Sequence, residues 1–319
     1  MQLRTILTDR LYAQRFPYSR YFALWYFATL LTLWNVAGQW FLGFEASPLQ
    51  LAVGVGTACL MQWLLDWLVA VPGDERRRFG GNLFERCTFF LPAIISGLAV
   101  AMLLYPNERI APIAFAACLA ITSKGLFRAP MKGGGHQHIF NPSNLGITVT
   151  LVLLPWVGLA PPYQFTENLH GWQNWALVTM ILGTGIFVHG MFTGRLTLCI
   201  AWILSFLLQA LFRSQYFHVP IYPLLAPMTS AAFILFTLYM IPDPATTPVT
   251  KRGQLAFGVS VATLYAVAIM SHFVIGLFLA LFMTSLLRGG ALWVAHWMRS
   301  TIISSIPLRS VAMNKQVLK

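Results

Sequence analysis

Residues 123–146 read S-K-G-L-F-R-A-P-M-K-G-G-G-H-Q-H-I-F-N-P-S-N-L-G and form a polar interruption in a chain that is otherwise mainly apolar. Three successive glycines in this stretch can adopt positive φ and let backbone N–H groups approach a ligand closely. They are Gly133, Gly134 and Gly135. The stretch also carries three cations, Lys124, Arg128 and Lys132. Polar groups collected between apolar segments are a natural place to hold a cofactor or an ion.

The end of this first polar loop (residues 124–146) predicts the start of a helix. Pro142 fixes its own φ and biases Asn141 away from the helical region, so a helix can begin behind Ser143 or Asn144 as its N-cap. Two interpretations of the loop stay open. It is either a ligand-binding loop or a cytoplasmic loop rich in positive charge, and only the first accounts well for His138, Asn141 and Asn144.

The composition is that of an integral membrane protein. Of the 319 residues 57% are hydrophobic and 9% are charged, whereas soluble domains carry about 25% charged residues. Four cysteines occur without a C-x-x-C motif, so the sequence indicates neither a disulfide framework nor a cysteine metal site. We expect one polytopic membrane domain over residues 1–319, with a basic cytoplasmic segment at 1–20 and a cytoplasmic tail at 300–319.

Apolar runs predict an all-α fold of about ten membrane spans, since one crossing needs about 20 apolar residues. The predicted spans are 21–41, 49–71, 87–104, 110–123, 144–159, 175–191, 196–212, 224–241, 255–271 and 273–287. The fourth is short for a full crossing, and the last continues in apolar sequence toward Trp297.

The distribution of positive charge predicts the orientation. If the N-terminus is inside, 19 of the 21 Lys and Arg residues fall on the inner side. The two on the outer side are Arg109 and Arg213. Cytoplasmic loops carry an excess of Lys and Arg, so both termini are predicted to be cytoplasmic and the number of spans even. The formal charge of +12 is thereby explained by topology, without a nucleic-acid partner.

A second polar loop, residues 239–254, resembles the first. It reads Y-M-I-P-D-P-A-T-T-P-V-T-K-R-G-Q, and Asp243 precedes Pro244 as Asn141 precedes Pro142. The loops lie four predicted spans apart and hence on the same membrane face. This pattern favours two parallel pseudo-repeats whose loops converge on one site. Asn-Pro and Asp-Pro are also ordinary turn starters, which is the alternative interpretation.

Asp66 is an ionisable residue within the second predicted span. Such a residue is a candidate functional site by default. A carboxylate paired with an arginine at the membrane interface is an equally good interpretation.

The two polar loops together resemble a known pair of motifs. They read K-G-G-G-H-Q-H-I-F-N-P-S-N-L-G and, further on, M-I-P-D-P-A-T-T-P-V-T-K-R-G. The pair is similar to the D-type membrane component of Rnf-type electron transport complexes and to the B-type membrane component of sodium-translocating NADH:quinone reductase. The resemblance implies a flavin, FMN or riboflavin, bound in a bacterial inner-membrane protein. It also implies electron transfer between partner membrane redox subunits, as a non-catalytic part of an oxidoreductase complex.

The resemblance also implies binding residues. Asparagines at the Asn-Pro and three residues earlier contact a non-covalent flavin in that family, and they match Asn141 and His138 here. The Ser-Gly-Ala-Thr tetrapeptide that carries covalent FMN is missing from this chain, so we expect non-covalent binding. The predicted cofactor-binding residues are Lys124, Gly133, Gly134, Gly135, His138, Asn141, Asn144, Asp243, Thr246 and Thr247.

Other functions remain open on the sequence alone. A secondary transporter or channel subunit would use the loops 124–146 and 239–254 as a substrate or ion site, because repeats and broken segments are transporter features too. A b-type haem would need facing histidines. His189, His272 and His296 are predicted to lie at different depths, which disfavours haem.

Overall fold

A computed structural model describes residues 19–69, 79–131 and 135–304 of the chain. The predictions for residues 1–18, for the tail after residue 304, and for Lys132, Gly133 and Gly134 fall outside these ranges.

The described residues form eleven α-helices, several of which continue as a short π or 3₁₀ turn. The first five are α1 (Ser19–Ala37, continued by the π turn Gly38–Leu42), α2 (Pro48–Val69), α3 (Leu83–Leu103), α4 (Ala111–Leu126) and α5 (Pro142–Leu153). The others are α6 (Trp172–Val188, continued by His189–Thr193), α7 (Leu196–Phe217), α8 (Ile221–Leu225, continued by Ala226–Thr229), α9 (Ala231–Leu235, continued by Phe236–Met240), α10 (Lys251–Met270) and α11 (Gly276–Ser304).

Four short strands complete the described secondary structure, together with a 3₁₀ turn at Pro162–Phe165. β1 (Leu104–Tyr105) pairs antiparallel with β4 (Gly158–Leu159). β2 (Arg128–Pro130) pairs antiparallel with β3 (His136–His138), with Ala129 opposite Gln137. The first polar loop therefore contains a small hairpin, which was not predicted from the sequence.

The fold is that of an all-α membrane protein. Within the described ranges six helices are long and apolar enough to cross a membrane, and a seventh crossing results if α8 and α9 are counted as one bent span. That pair is bent by 67° at the break between its two halves. Two further apolar helices, α4 and α5, are shorter than a full crossing.

Two predicted spans differ from the observed helices for local reasons. The span predicted at 144–159 ends early, at Leu153, because the residue before Pro155 is biased away from helical geometry. The span predicted at 224–241 is broken where Ser230 caps a new helix by accepting the Phe233 N–H. The last helix runs past the predicted end at residue 287, to Ser304.

Small residues let the helices approach closely. A Cβ on Gly97 of α3 would lie 2.6 Å from the carbonyl oxygen of Gly54 in α2, and a Cβ on Gly146 of α5 would clash with the carbonyl oxygen of Ala116 in α4. Such small-residue contacts are the usual way in which helices pack in membranes. The contact between Gly146 and Ala116 holds α4 and α5 together on either side of the first polar loop.

Candidate functional site

Asn141 organises the start of α5. Its side-chain oxygen accepts the backbone N–H of Asn144 at 3.2 Å and the hydroxyl of Ser143 at 2.8 Å. The helix begins at Pro142, earlier than the sequence predicts, because Asn141 itself, rather than Ser143 or Asn144, is the N-cap. Both lone pairs of the amide oxygen are engaged in this capping.

The same side chain joins the two polar loops. The Asn141 amide donates to the carbonyl oxygen of Met240 at 3.0 Å. Arg288 of α11 makes a second link, because it donates to the carbonyl oxygen of Thr246 at 2.6 Å and, in the favoured amide orientation, to the side-chain oxygen of Gln137 at 2.8 and 2.9 Å. The prediction that the two loops approach each other is confirmed.

Asp243 is the centre of the second polar loop. Its carboxylate accepts the Ala245 N–H at 3.0 Å and the Thr246 hydroxyl at 3.1 Å. Its backbone oxygen accepts the Thr247 hydroxyl at 2.6 Å. Burial raises the pKa of the Asp243 carboxyl, while the hydrogen bonds from Ala245 and Thr246, and then the cations Lys124 and Arg195, act in the opposite direction.

Arg195 and Arg288 are the site residues that sequence reasoning missed, since both were assigned to the inner-side topology charge. Arg195 is 5% exposed, and it donates to the Thr247 hydroxyl at 3.0 Å and to the Pro244 carbonyl oxygen at 3.4 Å. Burial lowers the pKa of its guanidinium. One signal was present in the sequence, because Arg288 interrupts the apolar run of the last helix.

A cavity of about 1630 Å³ opens beside the joined loops. Its polar end is lined by Lys124, His138, Asn141, Asp243 and Thr247. The rest of its wall is mainly apolar and extends to the opposite ends of the helices. Typical members of that wall are Phe27, Leu151, Phe236, Tyr239, Val274 and Phe278. The cavity can therefore hold a molecule with a polar end and an apolar body.

Lys124 reaches this cavity from the last turn of α4. Its ammonium donates to the carbonyl oxygen of Pro92 at 3.0 Å. That carbonyl also accepts the Ser96 hydroxyl at 2.8 Å. A lysine ammonium carries three N–H donors, so Lys124 has donors beyond the one that it gives to Pro92.

The other predicted site residues have different positions. Asn144 is 1% exposed, does not itself line the cavity, and donates to the carbonyl oxygen of Phe278 at 3.2 Å. Thr246 is buried within its own loop, and Gly135 has a φ of +83° at the end of the hairpin turn. Eight of the ten predicted cofactor-binding residues fall within the described ranges, and five of these line the cavity, namely Lys124, His138, Asn141, Asp243 and Thr247.

Asp66 is separate from this site. Its carboxylate accepts the backbone N–H of Phe79 at 3.1 Å, and the residue does not contribute to the cavity wall. The structure thus gives Asp66 a partner in the segment that leads into α3.

His189 is buried with both ring nitrogens in hydrogen-bond contacts. Nδ1 lies 2.7 Å from the Thr193 hydroxyl and Nε2 lies 2.6 Å from the carbonyl oxygen of Leu238. A carbonyl only accepts, so Nε2 carries the proton. Both nitrogens are therefore committed to protein partners. Among the described residues, no group of three or more His, Cys, Asp or Glu side chains is placed to hold a metal ion.

No protein-family model matches this chain, and no curated protein sequence matches it significantly. The resemblance to electron-transport subunits therefore rests on the two loop motifs alone, and the function that it implies is a proposal.

Proposed function

We propose that this chain is a membrane subunit of a redox complex that binds a non-covalent flavin and relays electrons between partner membrane subunits. The observation that carries the proposal is one cavity lined by both polar loops, with polar groups at one end and an apolar body. Binding sites for cofactors are typically concave and apolar, with a few placed polar groups. Their usual volume is about 300–1,000 Å³, so this cavity is large enough for a flavin.

The residues at the polar end suit a flavin chemically. An isoalloxazine ring presents carbonyl oxygens, ring nitrogens and an N–H group, which match the ammonium of Lys124 and the second amide N–H of Asn141. Phe27, Phe236 and Tyr239 provide apolar surface for the ring system. The cofactor would supply the redox chemistry, while the protein supplies binding and electrostatics. The Lys124 ammonium would stabilise negative charge that forms on reduction.

The proposal includes ten membrane segments, with both termini in the cytoplasm of a bacterial inner membrane. It is supported by the placement of 19 of the 21 Lys and Arg residues on one side. In this arrangement α4 and α5 are two short crossings, and the bent pair of α8 and α9 forms one segment. The polar loops, and hence the flavin, would face the cytoplasm.

A secondary transporter is the alternative, and a specific observation favours it. The cavity wall runs from the polar loops to residues at the opposite helix ends, such as Pro155, Pro227 and Val274. It also follows a helix pair bent by 67°. Broken helices around a central site are typical of transporters, in which case Asp243 would be the ion or proton ligand.

Purification separates the two functions. The protein is extracted in mild detergent, its absorbance spectrum is recorded, and released flavin is identified by chromatography. We expect flavin in the wild type and a clear loss in the double variant Asn141→Ala, His138→Ala. His170→Ala is the matched control, because that histidine is exposed in the loop before α6. A well-folded, colourless wild-type protein would contradict the redox function and favour transport.

A further inference from the structure

The polar end of the cavity carries more positive than negative charge. Lys124 lines the cavity. Arg195 and Arg288 lie directly behind its wall, where they bond to the lining residues Thr247 and Gln137 respectively. Asp243 is the one carboxylate among the described residues of the wall. Three cations and one carboxylate leave two positive charges unbalanced in a partly buried region.

Asp243 is already occupied by its own loop. One carboxylate oxygen accepts the Ala245 N–H and the other accepts the Thr246 hydroxyl. The two arginines are also fixed, since their guanidinium groups bond to backbone carbonyls of Pro244 and Thr246. These carbonyls are neutral, so they satisfy the arginine donors without cancelling the charge. Buried charge is costly unless an opposite charge compensates it.

Two features direct this positive potential into the cavity. The Lys124 ammonium has donors beyond the one that it gives to Pro92. The first turn of α5 also faces the cavity, because Asn141, Pro142 and Ser143 all line it. The N-terminal end of a helix carries partial positive charge. Lys124 and the N-terminal end of α5 thus both present positive potential to this cavity.

The remaining wall restricts the rest of the ligand. Beyond the polar end the cavity is lined mainly by apolar side chains, among them Leu151, Phe236 and Phe278. A small free anion would leave that part of the volume without contacts. An anionic head attached to an apolar or aromatic body would use both parts.

We propose that the cavity binds a molecule with a phosphate-bearing head, held by Lys124 against the first turn of α5, and an apolar body along the rest of the wall. A phosphate monoester carries about −1.5 to −2 charges near neutral pH, which matches the two unbalanced positive charges. The inference builds on the proposed function by specifying FMN, rather than riboflavin, as the flavin. An anionic phospholipid is the other source of a phosphate-bearing head on an apolar body, although its phosphodiester carries a single negative charge.

The first experiment uses the full chain in lipid nanodiscs. Its apparent unfolding temperature is measured with added FMN, with added riboflavin, and in discs of phosphatidylglycerol or phosphatidylcholine. We expect FMN to bind about tenfold more tightly than riboflavin, since a charge-assisted hydrogen bond contributes on that scale. The preference should shrink as ionic strength rises.

Variants of Lys124 test the role of the cation. Lys124→Met should abolish the preference for FMN over riboflavin, whereas Lys124→Arg should keep it. Lys251→Met is the control at an exposed position and should leave the preference unchanged. The Pro92 carbonyl keeps its bond from Ser96 in these variants. If Lys124→Met does not fold, the effect of ionic strength on the wild-type preference for FMN over riboflavin still tests the role of positive charge.

The outcomes separate this inference from the proposed function. A preference for FMN supports both. A preference for phosphatidylglycerol with no bound flavin supports the anionic head and contradicts the flavin function. Equal binding of FMN and riboflavin, with no dependence on salt or lipid charge, overturns the inference and leaves the flavin function standing. Binding of none of these probes contradicts both.

Discussion

The side-chain amide of Asn141 donates a 3.0 Å hydrogen bond to the backbone carbonyl of Met240, 99 residues later in the chain. The same side chain caps α5 through the Asn144 N–H. One residue thus begins a helix and joins the two polar loops beside the cavity.

Asn141→Ala should destabilise the protein through both of these roles. Loss of an N-cap costs about 1 kcal/mol, and loss of the bond to Met240 adds about 1 kcal/mol. Asn82→Ala is the matched control, because Asn82 caps α3 by accepting the Glu85 N–H at an exposed site. Thermal unfolding in detergent should show the larger decrease for Asn141→Ala. Equal decreases would contradict the role of the link to Met240.

Gly146→Ala should also be destabilising, because the added Cβ clashes with the carbonyl oxygen of Ala116. Overpacking of this kind costs about 1–3 kcal/mol. Gly183→Ala serves as the control, since a Cβ at Gly183 in α6 meets no atom within 4 Å. There alanine should be neutral or stabilising, because it is the better helix former. A tolerated Gly146→Ala would contradict the close contact between α4 and α5.

Asp243→Asn should change how stability depends on pH. Because the folded state raises the carboxyl pKa above its ordinary value of 3.8, the folded protein binds this proton more tightly than the unfolded chain. Wild-type stability therefore falls as pH rises from about 4 through the raised pKa. Asparagine has no such proton. The difference in unfolding temperature, variant minus wild type, should therefore increase as pH rises over that range. Exposed Glu167→Gln controls for pH effects of the detergent, and a difference that decreases with pH would contradict the shift.

Arg288→Leu should loosen the hairpin of β2 and β3. The substitution removes the bonds to Gln137 and to the Thr246 carbonyl, and a buried acceptor left without a partner costs about 1–3 kcal/mol. Hydrogen exchange should become faster in the paired strands β2 and β3. Arg288→Lys should restore slow exchange only in part, because one ammonium cannot reproduce the planar guanidinium that bonds to both Gln137 and Thr246. Exposed Arg252→Leu should leave exchange unchanged, and unchanged exchange in Arg288→Leu would contradict the link.

The proposed topology is tested with a reporter enzyme that is active only outside the cytoplasm. A fusion after Lys319 should be inactive, because the C-terminus is proposed to be cytoplasmic. A truncated fusion after His218, beyond the end of α7, should be active. Activity after Lys319 would overturn the orientation inferred from positive charge.

Local sequence determined most of the helices and the membrane class. Each of the ten predicted apolar spans contains helix in the structure, since apolar length and the need to satisfy backbone groups internally leave few alternatives in a membrane. A helix start close to Asn141-Pro142 was also predicted, to within a few residues, because capping depends on neighbouring residues; the cap itself is Asn141 and not Ser143 or Asn144. Asp66 and the two polar loops stood out for the same local reason, as polar residues in apolar surroundings.

The tertiary structure alone decided which polar residues form one site. Arg195 and Arg288 have the same positive charge as residues that merely orient the chain, and only packing shows that they bury it against Thr247 and Thr246. The hairpin of β2 and β3 is likewise tied to a distant segment, through the bonds of Arg288 to Gln137 and to the Thr246 carbonyl oxygen. Such contacts are set by how helices fit together, which no local pattern of residues encodes. The cavity is the space left between those helices, and it could not be predicted from the sequence for that reason.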